Sequence, residues 1–410
     1  EWSAQGGTVK FSGADVITQR GSRINLSGGT LDVQTGWVNR TWLKGADGNL
    51  YAASTAPGDL LYTGLYRGFE TDASRWGDAA KESFYNPIIA PLRRLENGYT
   101  VGRDGGRLVV ATAAATLQGD IETSTYQGDR QVRAREAGLD GYRQAQTAAA
   151  RRAELIVGNL RPVYDKETRD LRYSPDAVVE RVVIGDDGAP DSGIGLEAAW
   201  LDGLGLGGLK VYASGGIEGR EAVGVAPGGE IGLHATQVDV LADLTARGGS
   251  IALGNMVNRQ TGANGGWVEA PIASAPPQAY EARTRIGEGV TLDARGMWTN
   301  LWQDKTSTGG MPYVDGGQIL LASSGDVLLE AGSLVDVSSG ATLKADGGTL
   351  SGGRGGSVSL HANAYAASGA AAGKLVLEGE IRGHGVKGGG RLSLRSGEAI
   401  VIGGQVQGSD

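Results

Sequence analysis

Residues that could carry out chemistry are few and scattered in this chain. It has three histidines, His234, His361 and His384, and no cysteine, which excludes thiolate catalysis, disulfides and cysteine-type zinc sites. Each histidine lies beside a short apolar segment, where a solvated surface histidine is the commoner explanation. The glycine-rich phrases lack the lysine and the strand–glycine–helix context of phosphate loops. The sequence therefore predicts no catalytic residue, no bound metal and no cofactor.

Aromatic residues are the second class of candidate. They concentrate in two breaks of the regular pattern, from Trp37 to Thr100 and from Trp298 to Tyr313. Aromatic side chains on loops above a rigid scaffold are a common recognition device, but they also form the local cores of small subdomains. Both interpretations remain open from the sequence. The candidate binding residues are Trp37, Trp42, Tyr62, Tyr66, Trp76, Trp298, Trp302 and Tyr313.

Charge limits the partners that the chain is expected to have. The net charge at pH 7 is -8, and a negative field repels phosphate backbones, so nucleic acid is not an expected partner. Arginines nevertheless gather between Arg130 and Arg152, where they form either a solvated helix face or an anion site. The chain has no apolar run of about 18 residues, the length that a membrane-spanning segment needs.

A short repeated phrase indicates which elements position these residues. Two glycines and one variable residue precede alternating apolar positions, and uninterrupted copies lie about 20 residues apart, a period typical of solenoids. The copies begin at the pairs Gly6-Gly7, Gly28-Gly29, Gly105-Gly106, Gly228-Gly229, Gly248-Gly249, Gly316-Gly317, Gly355-Gly356 and Gly389-Gly390.

Each copy is typical of a short strand with a period of two, bounded by glycines that supply positive φ angles at the corners. A coil of about 20 residues with two or three such strands fits one turn of a parallel β-helix. The predicted fold is therefore all-β: a right-handed parallel β-helix, or solenoid, with extra-helical insertions, one of them partly α-helical.

An aspartate recurs where a strand ends, as in Asp32, Asp293 and Asp336. Such an aspartate can accept backbone N–H bonds and shape the corner. A calcium-ligand role is the weaker alternative, because single aspartates far apart do not form a coordination cage. The corners at Asp32 and Asp293 are both followed by tryptophans, so the same corner is expected to start an aromatic excursion twice.

Breaks in the period define the expected domain organisation. Residues 129–157 are rich in good helix formers, and Pro271, Pro276 and Pro277 indicate a loop. The predicted intervals are β-helix coils at 1–36, an aromatic-rich insertion at 37–100, a coil at 101–125, a partly helical insertion at 126–185, coils at 186–254, a proline-containing loop at 255–285, and coils at 286–410 with a short insertion at 297–315.

The segment Gly325–Gly340, with the sequence GDVLLEAGSLVDVSSG, resembles the filamentous haemagglutinin family of large exoproteins. The resemblance extends over most of the chain, including the aromatic excursions. It implies a β-helical fibre exported across a Gram-negative outer membrane through a dedicated pore partner, the two-partner secretion route. The Asn-Pro-Asn motifs of that family's secretion domain are absent, and only Asn86-Pro87 occurs, so an internal shaft segment of a longer protein is expected.

The resemblance also implies a function. Members of the family act in adhesion, biofilm cohesion or toxin delivery, so the expected function is that of a virulence-associated adhesin. As a secreted, cell-surface filamentous segment, it would attach to host cells, other bacteria or biofilm matrix through a glycan or protein receptor, without catalysis. Two alternatives remain open, the shaft of a contact-dependent toxin-delivery exoprotein and a β-helical polysaccharide-degrading enzyme.

Overall fold

A computed structural model describes most of the chain and divides it into two compact units. The described residues of 1–31, 102–133 and 147–410 form the first unit, and those of 32–101 form the second. The structure describes residues 6–39, 41–53, 56–66, 69–72, 81–84, 93–132, 149–164, 171–177, 179–185, 193–255, 257–261, 267–271, 280–363, 373–403 and 406–408.

Short strands make up nearly all of the regular structure. In chain order, the elements up to the first helix are β1 (Thr8–Thr18), β2 (Arg23–Asn25), β3 (Thr30–Val33), β4 (Gly36–Asn39), β5 (Trp42–Gly45), β6 (Leu50–Ala52), β7 (Tyr62–Leu65), β8 (Phe69–Asp72), β9 (Lys81–Phe84), β10 (Arg93–Glu96), β11 (Tyr99–Gly102), β12 (Arg107–Leu117), β13 (Asp120–Glu122) and α1 (Asp129–Val132). The elements that follow, up to residue 271, are β14 (Glu154–Val157), β15 (Asn159–Tyr164), β16 (Leu171–Ala177), β17 (Arg181–Ile184), β18 (Ile194–Leu196), α2 (Ala198–Leu204), β19 (Gly208–Tyr212), β20 (Gly216–Gly219), β21 (Val223–Gly224), β22 (Glu230–His234), β23 (Gln237–Val240), β24 (Leu244–Thr245), β25 (Ser250–Gly254), β26 (Val257–Thr261) and β27 (Trp267–Pro271). The remaining elements are β28 (Arg283–Ile286), β29 (Thr291–Asp293), β30 (Thr299–Asn300), a 3-10 turn (Met311–Tyr313), β31 (Gln318–Ser323), β32 (Asp326–Leu329), β33 (Leu334–Asp336), β34 (Ala341–Leu343), β35 (Leu350–Gly352), β36 (Ser357–Ala362), β37 (Leu375–Leu377), β38 (Glu380–Gly383), β39 (Arg391–Ser396), β40 (Ile400–Ile402) and β41 (Val406–Gly408).

The first unit is a parallel β-helix with three faces, which confirms the predicted fold class. Strands of successive coils pair in parallel, and one coil contributes two neighbouring strands, β17 and β18, to the second face. The first face runs β1, β12, β14, β19, β22, β25, β31, β36 and β39. The second face runs β18, β17, β20, β23, β28, β32, β37 and β40. The third face runs β21, β24, β29, β33, β38 and β41.

In-register pairing stacks like side chains into columns that line the interior. The first face contributes two aliphatic columns, which are almost completely buried because alternate residues of every strand turn inward. One column is Leu108, Leu155, Leu209, Ile231, Ile251, Ile319 and Val358, and the other is Val110, Val157, Val211, Leu233, Leu253, Leu321 and Leu360. Each coil therefore adds the same thin layer of core, and backbone groups are satisfied by the neighbouring coils.

The glycine pairs have a different main role from the one that the sequence indicated. Positive φ angles occur at the first glycine of only two copies, Gly228 at 73° and Gly248 at 61°. The second glycine is required by stacking, since a Cβ atom there would collide with a backbone carbonyl of the preceding coil. The colliding pairs are Gly106 with Gly7, Gly229 with Gly207, Gly249 with Gly229, Gly317 with Gly249, Gly356 with Gly317, and Gly390 with Gly356.

One coil replaces its third-face strand with helix α2. This helix contacts β13 of the coil before and β21 of the coil after, and it buries Leu201 and Leu204 in the common core. The Trp200 Nε1–H donates to the Gly119 carbonyl (3.0 Å), and the Gly224 N–H donates to Asp202 Oδ1 (2.9 Å). The helix therefore acts as a substitute wall segment. No described helix is long and apolar enough to cross a lipid bilayer.

The interval predicted as a partly helical insertion, 126–185, also contributes strands to the β-helix. The prediction of helix was wrong for Glu154–Val157, which forms β14 because Leu155 and Val157 occupy the two inward columns. Helix α1 covers Asp129–Val132, and residues 133–148 lie outside the described part of the chain. Near the end of the interval, Arg181–Ile184 form β17.

Two hairpins outside the coils combine into one small sheet. Strands β15 and β16 form an antiparallel hairpin between β14 and β17, and β26 and β27 form another between β25 and β28. The two hairpins meet antiparallel where Leu171 pairs with Arg259. The interval 255–285, predicted to be a loop, therefore contains paired strands.

The second unit is antiparallel throughout its described pairs. Strand β4 pairs with β10, β5 pairs with both β6 and β7, and β8 pairs with β9. This unit covers the interval predicted as an aromatic-rich insertion, 37–100. Its small sheets are what position the first group of candidate aromatic residues.

Candidate binding site

Charged side chains on the outer walls of the coils are mostly engaged with one another. Lys210 bridges Glu154 (2.8 Å) and Glu230 (2.9 Å) on neighbouring coils, and Arg107 contacts Glu154 at 3.2 Å. Burial lowers the pKa of Lys210, but the hydrogen bonds to both carboxylates outweigh that effect and raise it. Lys210 is therefore a fixed cation that links three coils, with its ammonium group already occupied.

The second face carries a similar arrangement. Arg283 donates two hydrogen bonds to Asp239, both 2.9 Å, and Arg285 donates to both oxygens of Glu330 at 2.7 and 3.0 Å. Such two-pronged pairs have fixed geometry. Because these groups satisfy each other across coils, the regular walls offer few unoccupied charged groups to a ligand.

Two of the three recurring aspartates accept a backbone N–H at the corner, as the sequence predicted. Asp336 Oδ1 accepts the Ser338 N–H (2.8 Å), and Asp293 Oδ1 accepts the Arg295 N–H (3.0 Å). Both side chains are buried. Burial would raise the pKa of Asp293, but hydrogen bonds from Arg295 and the charge of Arg247 lower it overall. Asp32 instead accepts the Thr100 hydroxyl (2.6 Å).

The corner at Asp293 presents two exposed tryptophans. Trp298 and Trp302 flank β30, which pairs in parallel with β34 of the next coil, and they are 65% and 62% exposed. The base of the excursion is closed by a hydrogen bond from the Met297 N–H to the Tyr313 carbonyl (2.7 Å). The Trp302 ring lies over Gly347, where an added Cβ would come within 2.7 Å of it. These two rings form the tryptophan surface of the first unit.

Tyr313 is placed differently from the two tryptophans. It ends the 3-10 turn Met311–Tyr313, is half-buried, and lies against the corner glycines Gly228 and Gly248. Burial raises the pKa of Tyr313, so its phenol keeps its proton at neutral pH. Its ring therefore packs against the β-helix, and it does not belong to the tryptophan surface.

In the second unit, three of the candidate aromatic residues, Trp42, Tyr62 and Tyr66, are buried or half-buried. Tyr66 is buried and donates its backbone N–H to the Trp42 carbonyl (2.7 Å). Tyr62 packs edge-to-face on Tyr51, with ring centroids 5.9 Å apart, and donates its hydroxyl to the Pro57 carbonyl (2.6 Å). These contacts favour the local-core interpretation for Trp42, Tyr62 and Tyr66.

Tyr51 shows how tightly this cluster is organised. Its hydroxyl donates to Asp47 (2.6 Å), and that hydrogen bond raises the pKa of Tyr51 and lowers the pKa of Asp47. Trp37, on β4, is 67% exposed and is the candidate of this unit that faces solvent. Trp76 lies outside the described residues.

The histidines occupy unrelated places. His234 stacks on Tyr212, with ring centroids 5.4 Å apart, and burial lowers its pKa to about 4, so it is not the solvated histidine that the sequence indicated. His384 is exposed. Among the described residues, no group of three or more histidine, aspartate and glutamate side chains is arranged to hold a metal ion.

A cavity of about 500 Å³ lies between five segments of the first unit that are far apart in the chain. It involves Arg151 and Arg152 of the predicted arginine cluster together with Tyr313. The arginine spacing was visible in the sequence, but the cavity was not predicted, because its walls come from segments far apart in the chain.

Comparisons of the chain with protein-family models, with curated proteins and with solved structures give no match.

Proposed function

We propose that this chain is a β-helical segment of a secreted filamentous adhesin on the surface of a Gram-negative bacterium. In this proposal the coils are a scaffold and the aromatic excursions make contact with a glycan or protein receptor on host cells, on other bacteria or in biofilm matrix. Export through an outer-membrane pore partner follows from the resemblance of the Gly325–Gly340 repeat to filamentous haemagglutinins.

One observation carries the proposal: exposed tryptophans lie on either side of a paired strand, just outside walls whose charged groups are largely paired. Trp298 and Trp302 are more than half exposed on either side of a strand that is hydrogen-bonded to the next coil. Tryptophan is enriched at the energetic centres of interfaces, and its broad ring gives contact area with little loss of side-chain entropy. The surface is therefore suited to recognition.

The test measures adhesion of the full chain after Trp298→Ala and Trp302→Ala, singly and together. We expect the double variant to bind a positive glycan or cultured cells at least about tenfold more weakly, as for an interface centre worth more than about 1.4 kcal/mol. Binding is measured on a glycan array and by cell-surface titration. Near-ultraviolet circular dichroism and unfolding temperature establish that each variant is folded.

Tyr126→Ala is the matched control, because Tyr126 is 48% exposed on a different segment and its loss removes a comparable ring. Equal binding by the double variant and the unchanged chain contradicts the assigned surface. Release of reducing or unsaturated ends from a polysaccharide panel contradicts the adhesin function and favours the polysaccharide-degrading alternative.

A further inference from the structure

The cavity beside Arg151 is large enough for a small organic ligand. Its volume of about 500 Å³ falls within the range of about 300–1,000 Å³ that is typical of ligand pockets. The walls come from Ser124, Thr125, Gln127 and Val132, from residues 149–152, from Gly207, from the corner 226–229, and from Gly309, Pro312 and Tyr313. All of them belong to the first unit.

Hydrogen bonds hold the arginine-bearing wall in place. The Gln127 side chain donates to the Ala150 carbonyl (2.6 Å) and accepts the Ala150 N–H (3.0 Å). The next N–H, that of Arg151, donates to Asp104 Oδ1 (2.8 Å), and the Arg151 carbonyl accepts the Gly105 N–H (2.8 Å). The backbone that carries both arginines is therefore preorganised, as binding sites require.

The two arginines bring positive charge to the cavity. Both side chains are exposed, and neither makes a salt bridge within the described part of the chain. The Arg152 guanidinium lies beside Gly205, at the carboxyl end of α2, where an added Cβ would come within 2.8 Å of it. Arg152 thus also complements the helix end, whereas Arg151 has no such structural partner.

Another part of the cavity lining is formed by cyclic, largely apolar side chains. Tyr313 lies against Gly228 and Pro312 and Pro227 line the cavity beside it. Flat apolar groups of this kind suit the C–H face of a sugar ring, while the protonated phenol of Tyr313 can donate to a sugar oxygen. A bare inorganic anion would leave these walls without contact.

We propose that this cavity binds one carboxylate-bearing sugar residue, of the hexuronate class, with its carboxylate on Arg151 and Arg152 and its ring against Tyr313. Guanidinium groups bind carboxylates through paired N–H donors in a fixed plane. This site is separate from the tryptophan surface and does not depend on it. It would give the scaffold an acidic-glycan specificity of its own.

The test uses three probes on the unchanged chain: methyl glucuronoside, its uncharged methyl ester, and inorganic sulfate. Isothermal titration and saturation-transfer NMR should show the acid binding at least about tenfold more tightly than the ester, since the ester loses the charge-assisted hydrogen bonds. Equal affinity for acid and ester, or no binding of the acid, overturns the proposal. Sulfate binding as tightly as the acid overturns the sugar assignment.

Arg151→Gln is the decisive variant, because this exposed side chain has no structural partner and the fold should tolerate its loss. We expect at least about a tenfold loss of acid binding, with the ester unaffected. Arg391→Gln removes the same charge from an exposed position on β39 and should change nothing; an equal loss there indicates non-specific attraction and overturns the site. Trp298→Ala should leave glucuronoside binding intact, so the two proposals fail independently.

Discussion

His234 lies on the outward side of β22, stacked on Tyr212 of the preceding coil. Its Nδ1 atom is buried without a hydrogen-bond partner in the described structure. Burial lowers the pKa of His234 to about 4, and a hydrogen bond with the Gly254 backbone and the charge of Glu230 only partly oppose this. Between pH 6.5 and about 4 the imidazole therefore stays neutral in the folded chain, whereas it is protonated in the unfolded chain.

This depressed pKa predicts an acid-sensitive stability. Between pH 6.5 and about 4 the unfolded chain protonates His234 and the folded chain does not, so the free energy of unfolding falls as pH decreases through that window. This decrease in the free energy of unfolding reaches its full size only below the pKa that His234 has in the folded chain. His234→Phe keeps a stacked ring but cannot take up a proton. Between pH 7 and pH 5 we expect the free energy of unfolding of this variant to fall by about 2 kcal/mol less than that of the unchanged chain.

Urea unfolding at pH 7, 6 and 5 measures this effect. His384→Phe is the control, because His384 is exposed and its replacement should leave the pH dependence as in the unchanged chain. If His234→Phe and the unchanged chain lose stability in parallel down to pH 5, His234 is not held neutral by burial.

Among the elements, the glycine pairs show how the coil geometry is enforced. In six of the eight pairs the second glycine lies so close to the preceding coil that its missing side chain is what permits the parallel pairing on the first face. A side chain there would push two coils apart and weaken the ladder on both sides. The phrase therefore marks points of closest contact between coils.

Gly356→Ala tests this role. A Cβ atom at Gly356 would collide with the Gly317 carbonyl, and backbone atoms in a stacked solenoid cannot move away singly, so we expect a loss of about 2 kcal/mol or more in the free energy of unfolding. Thermal and urea unfolding measure the change.

Gly224→Ala provides the comparison within the same β-helix. An added Cβ at Gly224 would meet no atom nearer than 3.7 Å, so its effect should be close to zero. Similar losses for both variants would mean that the glycines act through backbone flexibility and not through close approach.

At the scale of the whole molecule, a solenoid gains stability from neighbouring coils more than from distant parts of the chain. The second unit has its own strand pairs, and its chain ends converge: the Gly98 N–H donates to the Thr35 hydroxyl (2.8 Å). Residues 36–97 can therefore be removed, because Thr35 and Gly98 are already close enough to be joined.

Deletion of residues 36–97, which joins Thr35 to Gly98, should leave the β-helix folded. We expect the strand signal in circular dichroism and the main unfolding transition of the remaining chain to be retained, because the columns of the first face contain none of the deleted residues. Calorimetry measures the transition.

Deletion of Glu230–Asp239 is the contrasting variant, since it removes half of one coil, including Ile231 and Leu233 of the two columns. It should abolish cooperative unfolding. Loss of the main transition on deleting 36–97 would show that the β-helix depends on the second unit.

The amino-acid sequence by itself determined the coil: alternating apolar residues, glycine pairs and a period of about 20 residues specify a strand, a corner and a stacking distance locally. Asp293 and Asp336 were predictable for the same reason, since each accepts the N–H two residues later. The tertiary structure decided everything that depends on distant partners. It placed α2 in a wall, joined Leu171 to Arg259 and left Trp298 exposed while packing Tyr313. It also assembled the Arg151 cavity from residues as far apart in the chain as Ser124 and Tyr313. No local pattern encodes such contacts, because they form only after the intervening coils have stacked.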